Sequence, residues 1–241
     1  MTKYDLYPFA TNSVPPSAPT NFNSVGLAPF QLNLQWTSAS SNVNSFHLER
    51  ELGTNGTYQE ISDGGIQPYF ANYVDTTASP ANQYNYRVRA HNYFGDAYST
   101  VISPPTISLT NWPSPILQNI QNLIQAQAGD LNGLVSRVQF VANNGIYSTA
   151  ATAPYSASWT PTTQGTCVLS TLAIDSLGNS QYSASVTVTA YLDSNGDGIP
   201  DAFQVQAGNN PLDPWATPTG DNSTNPPTII LVTPPNAVLL H

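Results

Sequence analysis

Charge is what this sequence has least of. Lys, Arg, Asp and Glu make up 8% of its 241 residues, where soluble domains average roughly 25%. Ser, Thr, Asn and Gln must therefore carry the polar surface. The basic residues are Lys3, Arg50, Arg87, Arg89 and Arg137 against 14 acids, a net charge of −9. Beyond Arg137 there are six aspartates and no Lys or Arg. Such a surface repels phosphate backbones, so no nucleic-acid partner is expected.

Cysteine is nearly absent as well. Cys167 is alone, so no intrachain disulfide can form, and between Val168 and Leu169 it reads as a small core residue. No window reaches the ~18 apolar residues of a spanning helix, and no membrane insertion is expected. The amino terminus lacks the apolar run of a secretory signal, so an exported parent would carry its signal outside this chain. Three histidines, His47, His91 and His241, give no paired zinc ligands. Neither a nucleophile elbow nor a phosphate-cradling glycine loop is present, and no catalytic residues are expected. Glu49, Glu51 and Glu60 fall on or near one hairpin and read as a solvated face rather than as a glycosidase pair.

What the chain does have is alternation. After an irregular lead-in over 1–14, with aromatics at Tyr4, Tyr7 and Phe9, every second residue of Gln31–Trp36 is apolar, which puts Leu32, Leu34 and Trp36 on one face. Phe46 and Leu48 alternate next, and Asn55-Gly56 offers a positive-φ hairpin signal. Tyr84, Tyr86, Val88 and Ala90 then point inward, with Arg87, Arg89 and His91 outward. Residues 15–104 resemble a fibronectin type III domain on Pro16, Pro19, Trp36, the Tyr84-x-Tyr86-x-Val88-x-Ala90-x-Asn92 run and Gly95. The resemblance implies a seven-strand sandwich in which Tyr84 ties its hydroxyl back to the backbone. Tyr93 and Phe94, with Tyr69 and Phe70, are candidates for binding a protein or carbohydrate at the cell surface. The plainer reading, which the sequence favours, is that these rings cover the ends of the sandwich.

Ser103-Pro104-Pro105 marks a boundary, because paired prolines interrupt a ladder. The segment Ile116–Ala128 fits helical and strand spacing alike. The alternation of Val138, Phe140 and Ala142, of Tyr155, Ala157 and Trp159, and of Cys167, Leu169, Thr171 and Ala173 decides for strands. Asn143-Asn144-Gly145 marks a hairpin, and Asp175 with Asn179 is expected to hold its own tight turn. Residues 105–192 resemble the bacterial immunoglobulin-like domains on Val135–Phe140, Ala153–Ser156 with Trp159, and the Gly165 to Asn179 run. The expected fold class is all-β, two tandem β-sandwiches.

The stretch Asp193–Asp201 has side-chain oxygens at its first, third, fifth and ninth positions, with Gly198 at the sixth. That spacing wraps a hard cation, and oxygen ligands in that number suit Ca²⁺ rather than Mg²⁺. Asp193, Asn195, Asp197 and Asp201 are expected to contribute side chains and Ile199 its carbonyl. The alternative is an Asp-Gly linker that only turns. Residues 193–214 resemble the calcium-binding repeats of thrombospondin type 3, with Gln204 where that family commonly has a bidentate acid and Asp213 as the nearest substitute.

A polar linker, 215–225, leads to 226–241, where Pro226-Pro227-Thr228-Ile229-Ile230-Leu231 repeats the form of Pro104–Leu109. Ile229 and Leu231 would start a further module or pair with a neighbouring subunit by strand addition. The functional expectation is a non-catalytic, calcium-stiffened spacer or adhesion segment of a secreted or cell-surface bacterial protein. The alternatives are a subunit of an extracellular filament and an accessory region of a polysaccharide-degrading enzyme.

Overall fold

The structure is a computed structural model that describes residues 14–213. Tyr4, Tyr7, Phe9, the 215–225 linker, and Ile229 and Leu231 lie outside the described residues.

The chain is all-β, as two sandwiches in sequence. The first is built from β1 (Thr20–Ala28), β2 (Gln31–Thr37), β3 (Ser45–Leu52), β4 (Gln59–Glu60), β5 (Asn72–Asp75), β6 (Tyr84–Asn92) and β7 (Gly95–Tyr98). Its sheets run β1-β2-β5 and β4-β3-β6-β7. The alternation read from the sequence closes the core: Leu32, Leu34 and Trp36 from one sheet meet Phe46, Leu48, Tyr86 and Val88 from the other. Trp36 packs edge-on to Phe46 with ring centroids 5.4 Å apart. Tyr84 accepts the backbone N–H of Ser79 on its hydroxyl at 3.4 Å, the tie-back expected of it.

One buried ion pair completes this core. Asp75 takes Arg50 Nη1 at 2.7 Å and the Tyr86 hydroxyl at 2.9 Å on Oδ2, and the N–H and hydroxyl of Thr77 on Oδ1. Burial opposes the carboxylate's charge, but the Thr77 hydrogen bonds and the Arg50 charge hold its carboxyl below the usual range. The same burial pushes the Tyr86 hydroxyl far up.

The glutamate expectation is corrected. Glu49 and Glu51 are buried, 8% and 7% exposed, rather than a solvated face. On β3 and β6, Glu49 sits opposite Arg87, and its carboxylate receives Arg87 Nε at 2.7 Å and Arg89 Nε at 2.9 Å. The Arg87 guanidinium is itself stacked between Tyr58 and Tyr98, at 3.9 and 4.4 Å from the ring centroids. Long arginine stems and aromatic rings lying along the outer sheet face cover Glu49. The face is outward but roofed.

The second sandwich comprises β8 (Thr106–Asn111), β9 (Ile116–Leu117), β10 (Asn122–Gly129), β11 (Val135–Ala142), β12 (Gly145–Ala150), β13 (Tyr155–Trp159), β14 (Gly165–Asp175), β15 (Ser180–Tyr182) and β16 (Val186–Tyr191). Its sheets are β13-β10-β8 and β12-β11-β14-β16-β9, with β15 paired to β14. Ile116–Ala128 is thus two strands. Ile124, Val138, Phe140, Leu169 and Ala173 are fully enclosed, and Cys167 is a core thiol. The hairpin between β11 and β12 turns on Asn143 and Asn144, φ 48° and 67°. Gly145, which the sequence placed in the turn, already pairs with Ala142. Both central positions of this tight turn need positive φ, which Asn tolerates.

By contact density the chain forms two compact units. The first runs to Pro113 and includes Gln121–Trp159 and Cys167–Val188; the second holds Ser114–Ile120, Thr160–Thr166 and the chain from Thr189 on. The first unit includes strands of both sandwiches.

The second unit is bound by its own ladder. β9 pairs in parallel with β16 through Ile116 and Ala190, and Gln118 donates to Thr162 O at 2.8 Å. A short helix, α1 (Asp201–Gln206), follows the acidic loop.

Candidate functional site

The acidic loop after β16 is organised by its own main chain. Asp193 accepts the N–H groups of Gly196 at 2.8 Å and Gly198 at 2.9 Å, one on each carboxylate oxygen. Those glycines have φ of 76° and 87°, a region costly to side-chain-bearing residues. Asn195 Oδ1 accepts the Asp197 N–H at 3.1 Å, and Asp197 Oδ1 the Ile199 N–H at 2.8 Å. Asp201 closes the loop, taking the N–H and hydroxyl of Ser194 at 2.7 and 2.6 Å.

Four of the five residues expected as ligands lie in the loop, and the fifth, Asp201, is the first residue of α1. Yet among the described residues no three His, Cys, Asp or Glu side chains converge as a metal cluster. The side-chain oxygens are turned onto N–H groups and the Ser194 hydroxyl instead. Gln204, fully buried on α1, donates to Asp197 Oδ2 at 2.7 Å. Asn195 donates to the same oxygen at 3.1 Å and to the Asp213 carbonyl at 2.7 Å. Asp213 meets the loop through its main chain. The donor set is all oxygen, the chemistry of Ca²⁺. A cation there would have to displace the two amides from Asp197.

The aromatic residues lie elsewhere. Tyr69 and Phe70 are 76% and 53% exposed, Tyr93 and Phe94 90% and 50%. Tyr69 and Tyr93 therefore stand largely in solvent, while Phe70 and Phe94 are half exposed. Tyr69 and Phe70 touch each other with their rings tilted by 52° and centroids 4.7 Å apart.

The junction between the sandwiches, inside the first unit, was not read from the sequence. Asp175 holds its turn as expected, accepting the Leu177 and Asn179 N–H groups on Oδ1 and Asn179 Nδ2 on Oδ2, each at 2.8 Å. The turned Asn179 then presents its Oδ1 to the Ser24 N–H, and Ser180 Oγ accepts the Gly26 N–H at 3.2 Å. At Gly26 an added Cβ would stand 3.1 Å from Gln181 Cα and Tyr182 N. A glycine inside a strand, the one sequence signal of such close approach, sits at this position. Beside the Asp175 turn, Asp130 accepts the N–H groups of Asn132 at 2.8 Å and Gly133 at 2.7 Å. Burial pushes its carboxyl up, and the charge of Asp175 pushes it further.

Residues 105–197 match the bacterial Ig domain family. Among solved structures, the fibronectin(III)-like modules of Clostridium thermocellum CbhA are 26% identical, covering 36% of this chain and 97% of theirs at a TM-score of 0.33. An Fn3-like protein from Clostridium thermocellum is 27% identical, covering 36% of this chain and 90% of its own at 0.32. The FN1-FN3 domains of chicken CNTN1 are 13% identical, covering 73% of this chain and 67% of theirs at 0.32. No curated protein matches the chain.

Proposed function

We propose that this chain is a non-catalytic segment of a secreted or cell-surface bacterial protein, a rigid spacer and adhesion module whose acidic loop is stiffened by calcium. The observation that carries the spacer reading is the junction. Ser24, Gly26, Asn179 and Ser180 join the sandwiches by hydrogen bonds and backbone packing rather than by a free tether. Inter-domain motion is the default where the interface is loose, and this one is keyed. The match of residues 105–197 to the bacterial Ig domain supports the extracellular placement.

Calcium enters through the side chains of Asp193, Asn195, Asp197 and Asp201 and the carbonyl of Ile199. It would supply the positive charge that this loop, without Lys or Arg, lacks. Small-angle scattering tests the spacer: a single maximum dimension, unchanged by temperature below unfolding, supports it, and an ensemble of lengths refutes it. Titration calorimetry on chelator-stripped protein tests the ion. Heat with Ca²⁺ that disappears in Asp197→Ala supports calcium, and equal heats in both proteins refute it.

A further inference from the structure

Four large rings stand exposed on loops that the structure otherwise braces closely. The pairings Gln35 with Asn72 and Ser45 with His91 put the end of β2, the starts of β3 and β5 and the end of β6 at one end of the first sandwich. The connections carrying Tyr69 and Phe70, and Tyr93 and Phe94, therefore share that end.

Neither connection is slack. Phe94 N–H donates to Asn92 Oδ1 at 2.8 Å, and Asn92 Nδ2 donates to the carbonyls of Val14 and Asn42 at 3.0 and 3.1 Å. On the other connection, Ile66 and Phe46 exchange backbone hydrogen bonds at 2.6 and 2.8 Å, and Trp36 N–H holds the Ala71 carbonyl at 3.0 Å. Burying each ring would be worth about 1.5–3 kcal/mol. Displaying four of them on fixed turns gives that up, and fixed display is what lowers the ordering cost of binding.

We propose that this loop end binds a neutral polysaccharide, with Tyr69 and Tyr93 as stacking platforms; the proposal rests on the reading of the chain as an exported adhesion module. The ligand class follows from what surrounds the rings. Residues 38–44, 61–71 and 93–94 contain no Lys or Arg and one acid, Asp63, so nothing there recruits an anionic polymer. Ser38, Ser40, Ser41, Asn42, Asn44 and Gln67 fill the same connections with hydroxyls and amides, which both donate and accept. A pyranose ring is the complement of such a surface: its C–H face lies on the electron-rich face of an aromatic ring, and its hydroxyl rim meets neutral polar groups. A protein partner would instead seat these rings in desolvated pockets of its own.

Affinity electrophoresis of the whole chain through gels containing xylan, galactomannan, hydroxyethylcellulose or laminarin is the test. Retardation in at least one gel is expected, weakened about fivefold in association constant by Tyr69→Ala or Tyr93→Ala and retained in Tyr93→Phe, with the thermal melt of each variant unchanged. Unchanged mobility in all four gels overturns the proposal, as does retardation indifferent to both alanine variants, or a tyrosine-dependent protein complex without any polysaccharide shift. Scattering and calcium calorimetry report on the spacer reading independently, so loss of one does not mimic loss of the other.

Discussion

Asn179 Oδ1 accepts the backbone N–H of Ser24 at 3.1 Å, across 155 positions of sequence and between the two sandwiches. The same side chain donates to Asp175 Oδ2 at 2.8 Å. One amide thus closes a turn of the second sandwich and anchors a strand of the first. Asn179→Ala leaves the buried Ser24 N–H without its acceptor and takes from Asp175 Oδ2 the side-chain donor it has, while the Leu177 and residue-179 main-chain N–H groups still reach Oδ1. A loss of about 2–3 kcal/mol in urea unfolding is expected, together with a wider length distribution by scattering.

Gly26→Val should act on the same junction by a different route. The new side chain meets main-chain atoms of Gln181 and Tyr182, which cannot swing aside as a side-chain tip can. Overpacking of this kind costs about 1–3 kcal/mol. Gly53, with nothing within 4 Å of its added Cβ, is the control: Gly53→Val should leave the length distribution untouched, its cost being confined to a φ of 70°.

Acid should weaken the first sandwich through Asp75. Its folded-state carboxyl is held below the ordinary range, so its stabilising contribution is present above the unfolded value of about 3.9 and lost as pH falls through the folded one. Asp75→Asn should lose about 3 kcal/mol at pH 7, because Arg50 then sits beside a neutral amide. Below pH 4 the variant should be less pH-dependent than the parent, as chemical unfolding at several pH values would show.

Asp130 works with the opposite sign. Burial and the neighbouring Asp175 raise its carboxyl, so its contribution is complete at low pH and is lost as pH rises through the raised value. Asp130→Asn keeps an oxygen for the Asn132 and Gly133 N–H groups while removing the charge. Its melting temperature should exceed the parent's at pH 7 and converge with it below pH 4.

Gln204→Glu tests the calcium loop by gain. Without calcium, the new carboxylate faces Asp197 Oδ2 where an amide N–H now donates at 2.7 Å, and the melting temperature should fall. With calcium, a bidentate acid at the twelfth position should tighten binding about tenfold or more. Calorimetry in both conditions checks the pair of signs, and tightening without any loss in the calcium-free protein would contradict the geometry.

Period-two alternation was enough to read most of the strands and the core places of Trp36 and Trp159, because side-chain direction in a strand is set by position parity alone; Cys167 was legible from its apolar neighbours and the Asp175 turn from the habit of an acid to accept the N–H groups just after it. The acidic loop was legible as a spacing of oxygens for the same local reason. Where those oxygens point was not, since Gln204 and Asp213 reach them only after α1 turns the chain back. Nor could alternation say that Glu49 lies under two arginines, or that Tyr69 and Tyr93 stay uncovered. Those outcomes depend on what packs against a face, and the junction of Ser24 with Asn179 depends on two sandwiches meeting. A residue's face is a local property of its strand; its neighbour across the fold belongs to the whole chain, and only the tertiary structure decides it.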